Sequence, residues 1–474
     1  MNSAPSQGRW LLPVLLTVQF LVSLDMSVVN IALPAIRDDL GFTPEGLPWV
    51  VNAYALAFGG LLMLGGRIAD LVGHRRILVV GFVLFGTASL VGGLVSSPGA
   101  LIAARAVQGV GAAALAPVAL TLITVNFPAG KERSRALGLW GMAGAAGGAI
   151  GVLAGGLLTD LAGWRAVMLV NVPVVLAVLA VTGRGVPADR RTEQAERPDV
   201  TGALLVTGGM TLLVLGLVRT ETHAWGSVTT LGTLAAAAVL LTAFVLVELR
   251  VRQPLLRIGL LSGRPVLAAN SFALLMSCGQ FAAFYFASLY MQQELGYGPT
   301  AAGAAFLPFC AGVVAGSVLA PRAVGRFGPG PVLVVGGLVG AAGFVWFGLA
   351  VWAQAGLLSA IVGPSLVTSL GIGACFVPLG TAATSGVAAQ EAGMASGLLN
   401  TSRQIGGSLG LAVLVPLATG AGTTASDGYG TAFQFAAGLL AVASVLVLAL
   451  LPRATRTRPL APEGKEAAAP SRTP

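Results

Sequence analysis

The chain has 474 residues, of which 55% are hydrophobic and only 9% charged, and its mean hydropathy is +0.86. A soluble domain carries roughly 25% charged residues, so this composition excludes a water-soluble enzyme. The formal charge is +9, but the basic residues lie in short connections between apolar runs. That placement reports membrane orientation and argues against a nucleic-acid partner, which would need a basic patch.

Apolar runs of about 20 residues, the length that crosses a bilayer, recur along the whole chain. Only helices or closed barrels satisfy the backbone in hydrocarbon, and these runs lack the alternation of barrel strands. We therefore predict an all-α membrane protein with fourteen transmembrane helices. The predicted spans are 10–34, 47–66, 77–97, 100–126, 135–160, 166–183, 200–219, 228–249, 265–293, 300–320, 331–352, 356–385, 394–420 and 429–451.

Basic residues are distributed unevenly between the loops. If the N-terminus is cytoplasmic, the outer loops hold only Arg37, Arg165 and Arg219. The cytoplasmic loops then hold Arg67, Arg75, Arg76, Lys131, Arg133, Arg135, Arg184, Arg190, Arg191, Arg197, Arg250, Arg252, Arg257 and Arg264. Since Lys and Arg accumulate on the cytoplasmic side, we predict a multi-pass protein of the inner membrane with both termini in the cytoplasm.

Two pairs of segments repeat at nearly the same offset. Residues 66–79 can be laid over 321–334, an offset of 255, and Gly147, Gly148 and Gly151 over Gly406, Gly407 and Gly410, an offset of 259. Chance similarity between Gly-rich spans is the alternative. A true repeat predicts two six-helix bundles, 10–183 and 265–451, joined by a cytoplasmic linker (184–199) and two inserted helices (200–249). The tail, 452–474, is predicted to be disordered.

A parallel repeat of this kind is typical of transporters, whose binding site lies at the midplane between the two halves. Within the first half, Asp25 is the acidic residue that lies well inside a predicted span. A charge at that depth costs several kcal/mol, so it usually faces a cavity or a partner and marks an ion or proton path. Arg105, at a compatible depth in the fourth span, is the expected partner. A fixed structural ion pair is the alternative interpretation.

Glycines recur every four residues in the fifth span, at Gly147, Gly151 and Gly155, and Gly156 follows directly. Glycine lets another helix approach closely. The pattern fits either ordinary helix packing or a sliding seam between the two halves.

A polar turn lies roughly ten residues into the thirteenth span. It carries Asn400, Arg403 and Gln404, which would hydrogen bond either to carbonyl or anionic groups of a substrate or to neighbouring helices. Weaker candidates for substrate binding are Asn30, Asn52, Gln108 and Gln280.

Five ordered motifs resemble signatures of the major facilitator superfamily, and specifically of its fourteen-span drug:proton antiporter family. They lie at 24–34, 66–78, 105–111, 164–173 and 395–407, and the resemblance covers about residues 10–451. It implies export of a hydrophobic or amphiphilic compound, such as an antibiotic, in exchange for protons by rocking of the two halves. We accordingly expect a monomer that acts on a small molecule and on protons and uses no cofactor or metal.

The resemblance also implies roles for individual residues. Asp25 and Arg105 would couple transport to protonation. The loop motif would steady the closed cytoplasmic side, with Asp70 acting through helix ends and basic neighbours. The gate residues so implied are Gly66, Arg67, Asp70, Gly73, Arg75 and Arg76.

Three positions depart from the family pattern. Leu71 replaces a basic residue of the loop motif, which implies a weaker cytoplasmic lock, and Val152 replaces the proline of the antiporter motif in the fifth span. The tenth span contains no acidic residue, so dicationic substrates are not expected.

A metabolite symporter or uniporter on the same fold remains a rival. A membrane enzyme or sensor would need a convergent catalytic or metal cluster, which this sequence does not offer.

Overall fold

The computed structural model describes residues 10–451 apart from 129–130, 187–198, 222, 224–225, 252–253, 355, 357, 388–390 and 421–424. Regular structure in these residues is helical, with no strand among them. The predicted disordered tail, 452–474, and most of the predicted linker, 184–199, lie outside the described residues. The helices are α1 Leu11–Leu40, α2 Trp49–Val72, α3 His74–Leu94, α4 Pro98–Asn126, α5 Lys131–Ala162, α6 Trp164–Leu169, α7 Asn171–Gly185, α8 Val200–Val218, α9 Val228–Glu248, α10 Arg264–Leu289, α11 Pro299–Ala305, α12 Leu307–Phe327, α13 Pro329–Trp352, α14 Gly363–Thr384, α15 Ala392–Gly420 and α16 Ala425–Leu450.

These sixteen helices form the fourteen predicted spans, because two spans are each broken into two helices. Val170 separates α6 from α7, and Phe306 separates α11 from α12. Each break comes within a turn of a proline, Pro173 or Pro308, which lacks the N–H that would continue the helix. Thirteen of the spans are long and apolar enough to cross a membrane when the described residues alone are considered. The remaining one, α15, has 29 residues and carries the polar turn at 400–404.

Helix packing divides the spans into two bundles of the same design. In the first, α1 packs on α5, α4 packs between α2 and α3, and α3 also contacts α6 and α7. In the second, α10 packs on α15, α14 packs between α12 and α13, and α13 contacts α16. The inserted helices α8 and α9 pair with each other, and α8 lies against α2 and α15. The prediction of an all-α membrane protein with two bundles and two extra helices is confirmed.

The sequence repeat has a direct structural counterpart at the junctions α2–α3 and α12–α13. Gly73 ends α2 with φ 112°, and Gly328, 255 positions later, ends α12 with φ 84°. Both values lie in a region that side chains bearing a Cβ rarely adopt. The same tight turn therefore joins corresponding helices in both halves.

The glycines of α5 pack against α1 within the first half. A Cβ atom built at Gly151 would lie 2.8 Å from the carbonyl oxygen of Leu24, and one at Gly155 would lie 2.7 Å from that of Val28. The shared face of Gly147, Gly151 and Gly155 thus meets a helix of its own bundle in this state, which fits ordinary helix packing. A sliding seam between the halves stays a prediction. Gly156, on a neighbouring face, is the one that meets the other half, at Pro299 of α11.

The two halves are joined at the side where α1 ends, which we call the distal side. The Ser288 hydroxyl donates to the Asn30 carbonyl at 3.0 Å, and the Gln292 amide donates to the Ile31 carbonyl at 3.0 Å. One continuous apolar core joins the distal part of the first half to the second half. Nearer the N-terminus, the first half has a separate core. The structure therefore represents a state in which the distal side is closed.

Candidate functional site

The carboxylate of Asp25 is completely buried in the first bundle and accepts three hydrogen bonds. Arg105 donates from Nη1 to Oδ2 at 2.6 Å. Gln108 and Asn171 donate their amide hydrogens to Oδ1, at 2.6 and 2.9 Å. The sequence-predicted partners Asp25 and Arg105 thus lie in direct contact, and Gln108 joins the same cluster.

Arg105 is as buried as its partner, with 1% of its side chain exposed, and its charge has three further supports. Nε donates to the carbonyl of Val50 at 3.0 Å, and Nη1 also donates to the Gln108 oxygen at 2.8 Å. Its guanidinium carbon lies 4.5 Å from the centre of the Tyr54 ring, a cation–π geometry. The cation is therefore held by neutral groups as well as by the carboxylate.

Two members of the cluster were not among the predicted site residues. Asn171 begins α7, and its amide also donates to the Ser89 hydroxyl at 3.1 Å. Ser89, on α3, donates to the carbonyl of Met168 at 2.7 Å. Asn171 lies in a motif that the sequence did reveal, whereas nothing in the local sequence distinguishes Ser89. Together these contacts connect α1, α2, α3, α4, α6 and α7 around one buried carboxylate.

Asn52, a weaker sequence candidate, lies in α2 between Val50 and Tyr54. It is fully buried, and neither its amide nitrogen nor its oxygen has a hydrogen-bond partner in the described part of the chain. The Tyr54 hydroxyl is likewise buried and unpartnered. Unpaired polar groups are costly in the interior. The region beside the Asp25 cluster therefore has hydrogen-bonding groups that no contact within the described residues satisfies.

The other candidate residues lie apart from this cluster. The Asn30 amide turns back to the Met26 carbonyl of its own helix at 2.7 Å, and Gln280 is half-buried on α10. On α15, Asn400 is exposed and Gln404 is buried, its amide 3.8 Å from the Met26 sulfur of α1. Arg403 is half-buried, and its guanidinium carbon lies 4.8 Å from the centre of the Phe376 ring.

The loop motif between α2 and α3 makes its observed contacts within the first half. Asp70 lies 3.3 Å from Nε2 of His74, the first residue of α3. Arg75 donates to the Gly183 carbonyl near the end of α7 at 2.5 Å, and Gly66 faces Pro117 of α4. The motif therefore ties together helix ends of one bundle in this state. Among the described residues, no three His, Cys, Asp or Glu side chains gather in a way that would hold a metal.

Comparison with known proteins gives a consistent result across the chain. Residues 15–411 match the sequence profile of the Major Facilitator Superfamily. The chain is 41% identical to the Cephamycin export protein CmcT of Amycolatopsis lactamdurans, over 97% of this chain and 95% of that protein. It is also 41% identical to the Puromycin resistance protein pur8 of Streptomyces alboniger, over 100% and 97%.

Solved structures show the same fold at low sequence identity. A D-xylose–proton symporter superimposes with a TM-score of 0.68 at 15% identity, covering 93% of this chain and 97% of that one. A POT family transporter with a bound thioalcohol-conjugated peptide superimposes with a TM-score of 0.70, also at 15% identity, over 94% and 97%. These similarities establish architecture and carry no information on substrate.

Proposed function

The chain belongs to the major facilitator superfamily, and from that membership we propose that it exports a hydrophobic or amphiphilic small molecule, such as an antibiotic, in exchange for protons. Relatives that share its full length are named for antibiotic export or resistance, which supports efflux over nutrient uptake. The positive-inside distribution supports an inner-membrane protein with both termini in the cytoplasm, and we propose that it acts as a monomer.

The observation that carries the proton-coupled part is the buried ion pair of Asp25 and Arg105. Removing one partner of such a pair ordinarily leaves an uncompensated charge, at a cost of about 3–5 kcal/mol. Here Arg105 keeps the Gln108 oxygen, the Val50 carbonyl and the Tyr54 ring when the carboxylate is neutral. The cluster is therefore built so that protonation of Asp25 leaves the cation supported.

Protonation would also loosen the cluster. A neutral carboxyl is a weaker acceptor than a carboxylate, so the bonds from Gln108 and Asn171 would weaken, and with them the link from α1 to α4 and α7. Since α1 also carries the carbonyls that join the halves on the distal side, at Asn30 and Ile31, a shift of α1 reaches that junction. This connects the protonation state of Asp25 to the junction between the halves on the distal side.

With the predicted orientation, the distal side faces outward and the structure is the inward-facing part of the cycle. Substrate would enter from the cytoplasm or inner leaflet. The proton would reach Asp25 after the halves rock to open the distal side, and it would leave towards the cytoplasm after the return. Exchange of one ligand for the other at each reversal is what antiport requires.

The proposal is tested by flux measurements in proteoliposomes with an imposed pH gradient and a panel of fluorescent amphiphiles that includes cationic, uncharged and carboxylate-bearing dyes. We expect Asp25→Asn to abolish gradient-driven flux while folding and membrane insertion persist, and Arg105→Ala to weaken the response to pH. The matched control is Asp39→Asn, at the end of α1, whose carboxylate pairs with Arg165 at the surface and is 45% exposed.

Undiminished gradient-driven flux in Asp25→Asn would remove this carboxylate from the coupling mechanism. Accumulation of the probe inside intact cells that express the chain, rather than its extrusion, would contradict the direction of transport and favour a symporter.

A further inference from the structure

Arg403 is a second cation deep in the membrane-spanning region. It lies eleven residues after the first residue of α15, Ala392, which places it roughly 16 Å along the helix at 1.5 Å per residue. The structure gives its guanidinium a contact with the Phe376 ring but no hydrogen bond or ion pair with any described residue. A cation–π contact offsets only part of the cost of such a charge.

The second half offers no carboxylate at this depth. Between residues 264 and 451 the only acidic residues are Glu294, Glu391 and Asp427, and each lies at a helix end. Glu391 is ion-paired with Arg257. Across the interface, Asp25 is fully buried and already accepts hydrogen bonds from three partners of its own half. The charge of Arg403 therefore has no protein counter-ion in the described part of the chain.

The face of α15 that bears Arg403 points between the two halves. On one side of that face, the Thr401 hydroxyl donates to the Gly59 carbonyl of α2 at 3.0 Å. On the other, Arg403 lies over Phe376 of α14 and Gly407 packs on Phe281 of α10. Residues three and four apart share a helix face, so exposed Asn400 lies on the same face as Arg403.

Helices on both sides shield this face from lipid, yet Arg403 remains partly accessible and Asn400 is exposed. That accessible surface therefore lies inside the molecule, in the space between the halves. At the same level, Gln404 contacts Met26, the neighbour of Asp25 on α1. The free guanidinium thus faces the central space at the depth of the Asp25 cluster.

We propose that Arg403 is the anion-recognition group of the substrate site, and that the exported molecule carries a carboxylate or a similar anionic group on an apolar body. Phe376 would hold the guanidinium plane so that its N–H edge is free to bind a carboxylate through two parallel hydrogen bonds, and Asn400 would donate from the same face. The inference rests on the proposed export function and specifies its substrate class. It separates this chain from exporters whose cavities select organic cations.

The test measures binding to the purified full-length protein in nanodiscs, independently of transport. The probes are matched pairs of cephalosporin carboxylates and their methyl esters, with puromycin as a cationic comparison. We expect the wild type to bind the acids at least about tenfold more tightly than the esters, the size expected of one charge-assisted hydrogen bond. Arg403→Gln should lose that preference and bind the esters as before, and Arg403→Lys should retain part of it.

The matched control is Arg322→Gln, which removes an exposed arginine near the end of α12 and should leave both affinities unchanged. Three results would each overturn the assignment. They are equal binding of acids and esters by the wild type, tighter binding of puromycin than of every acid, and an unchanged acid preference in Arg403→Gln. Acid binding that persists without pH-driven flux would instead refute proton-coupled export and leave the anion subsite standing.

Discussion

The contact between α1 and α5 makes a quantitative prediction for Gly151→Ala. The added Cβ would lie 2.8 Å from the Leu24 carbonyl oxygen and 2.9 Å from Cβ of Ser27. Favourable contact distances are roughly 3.5–4.0 Å, so the two helices would have to part by about 0.7 Å or more. Overpacking of this kind lowers the free energy of unfolding by about 1–3 kcal/mol. Replacing a helical glycine with alanine stabilises the helix by up to about 1 kcal/mol.

Gly148→Ala is the matched control on the same helix. A Cβ at Gly148 would meet only the Ser27 hydroxyl oxygen, at 3.8 Å, so this variant gains the same helix propensity without a clash. We therefore expect Gly151→Ala to be less stable than Gly148→Ala by about 1–3 kcal/mol, the full overpacking cost. Unfolding in mixed micelles with increasing SDS, followed by tryptophan fluorescence, measures the difference.

The second half should respond in the same way, because Gly410 meets the Cys278 carbonyl as Gly151 meets that of Leu24. Equal unfolding free energies for Gly151→Ala and Gly148→Ala would refute the packing argument. A change in the balance between inward-facing and outward-facing forms, with unfolding unchanged, would support the interpretation of these glycines as a seam between halves.

Three further predictions concern polar groups. Gln108→Leu should lower the free energy of unfolding by about 1–3 kcal/mol, because it removes a buried donor to Asp25, and the SDS titration checks this; an unchanged value would contradict it. Asp160→Asn weakens a 2.8 Å bond from the first turn of α11 on the distal side. Spin-label distances across that side should therefore show a few-fold larger open population, and an unchanged distribution would speak against this contact as a closing element. Glu248→Gln should raise thermal stability, because Glu248 and Asp199 are both buried and each has an unpartnered carboxylate oxygen. Both oxygens face the same point near Gly202, at the start of α8. A lower melting temperature would show that the two charges do not repel.

Much of the architecture follows from the sequence because the bilayer imposes a length on each span. The number of spans and the two-bundle organisation could be predicted from apolar runs and two weak repeats. The turns at Gly73 and Gly328 show that the repeat is present in the structure. The predicted span limits miss helix ends such as His74, because hydropathy marks the part of a helix in lipid while the backbone helix continues into polar residues.

The candidate site, like the architecture, could be predicted from the sequence only in part. Asp25 and Arg105 could be recognised from the sequence, since a charge in a long apolar run is costly wherever its neighbours lie. Ser89 could not be recognised, because a serine hydroxyl in a helix can bond to its own backbone, so its presence in the sequence does not indicate the distant contacts with Met168 and Asn171 that it makes. The orientation of the Gly151 face was also undetermined, because glycine spacing shows that some helix approaches closely and does not specify which one.

The sequence alone therefore determined that this chain crosses the membrane many times, in two related halves, with one deep carboxylate, because each of these features depends on the composition of a continuous segment. Only the tertiary structure decided that three amide and guanidinium side chains donate to that carboxylate, while Arg403 has no counter-ion in the described part of the chain. Which side chains meet depends on the rotation and lateral packing of helices far apart in the chain, and hydropathy does not encode either.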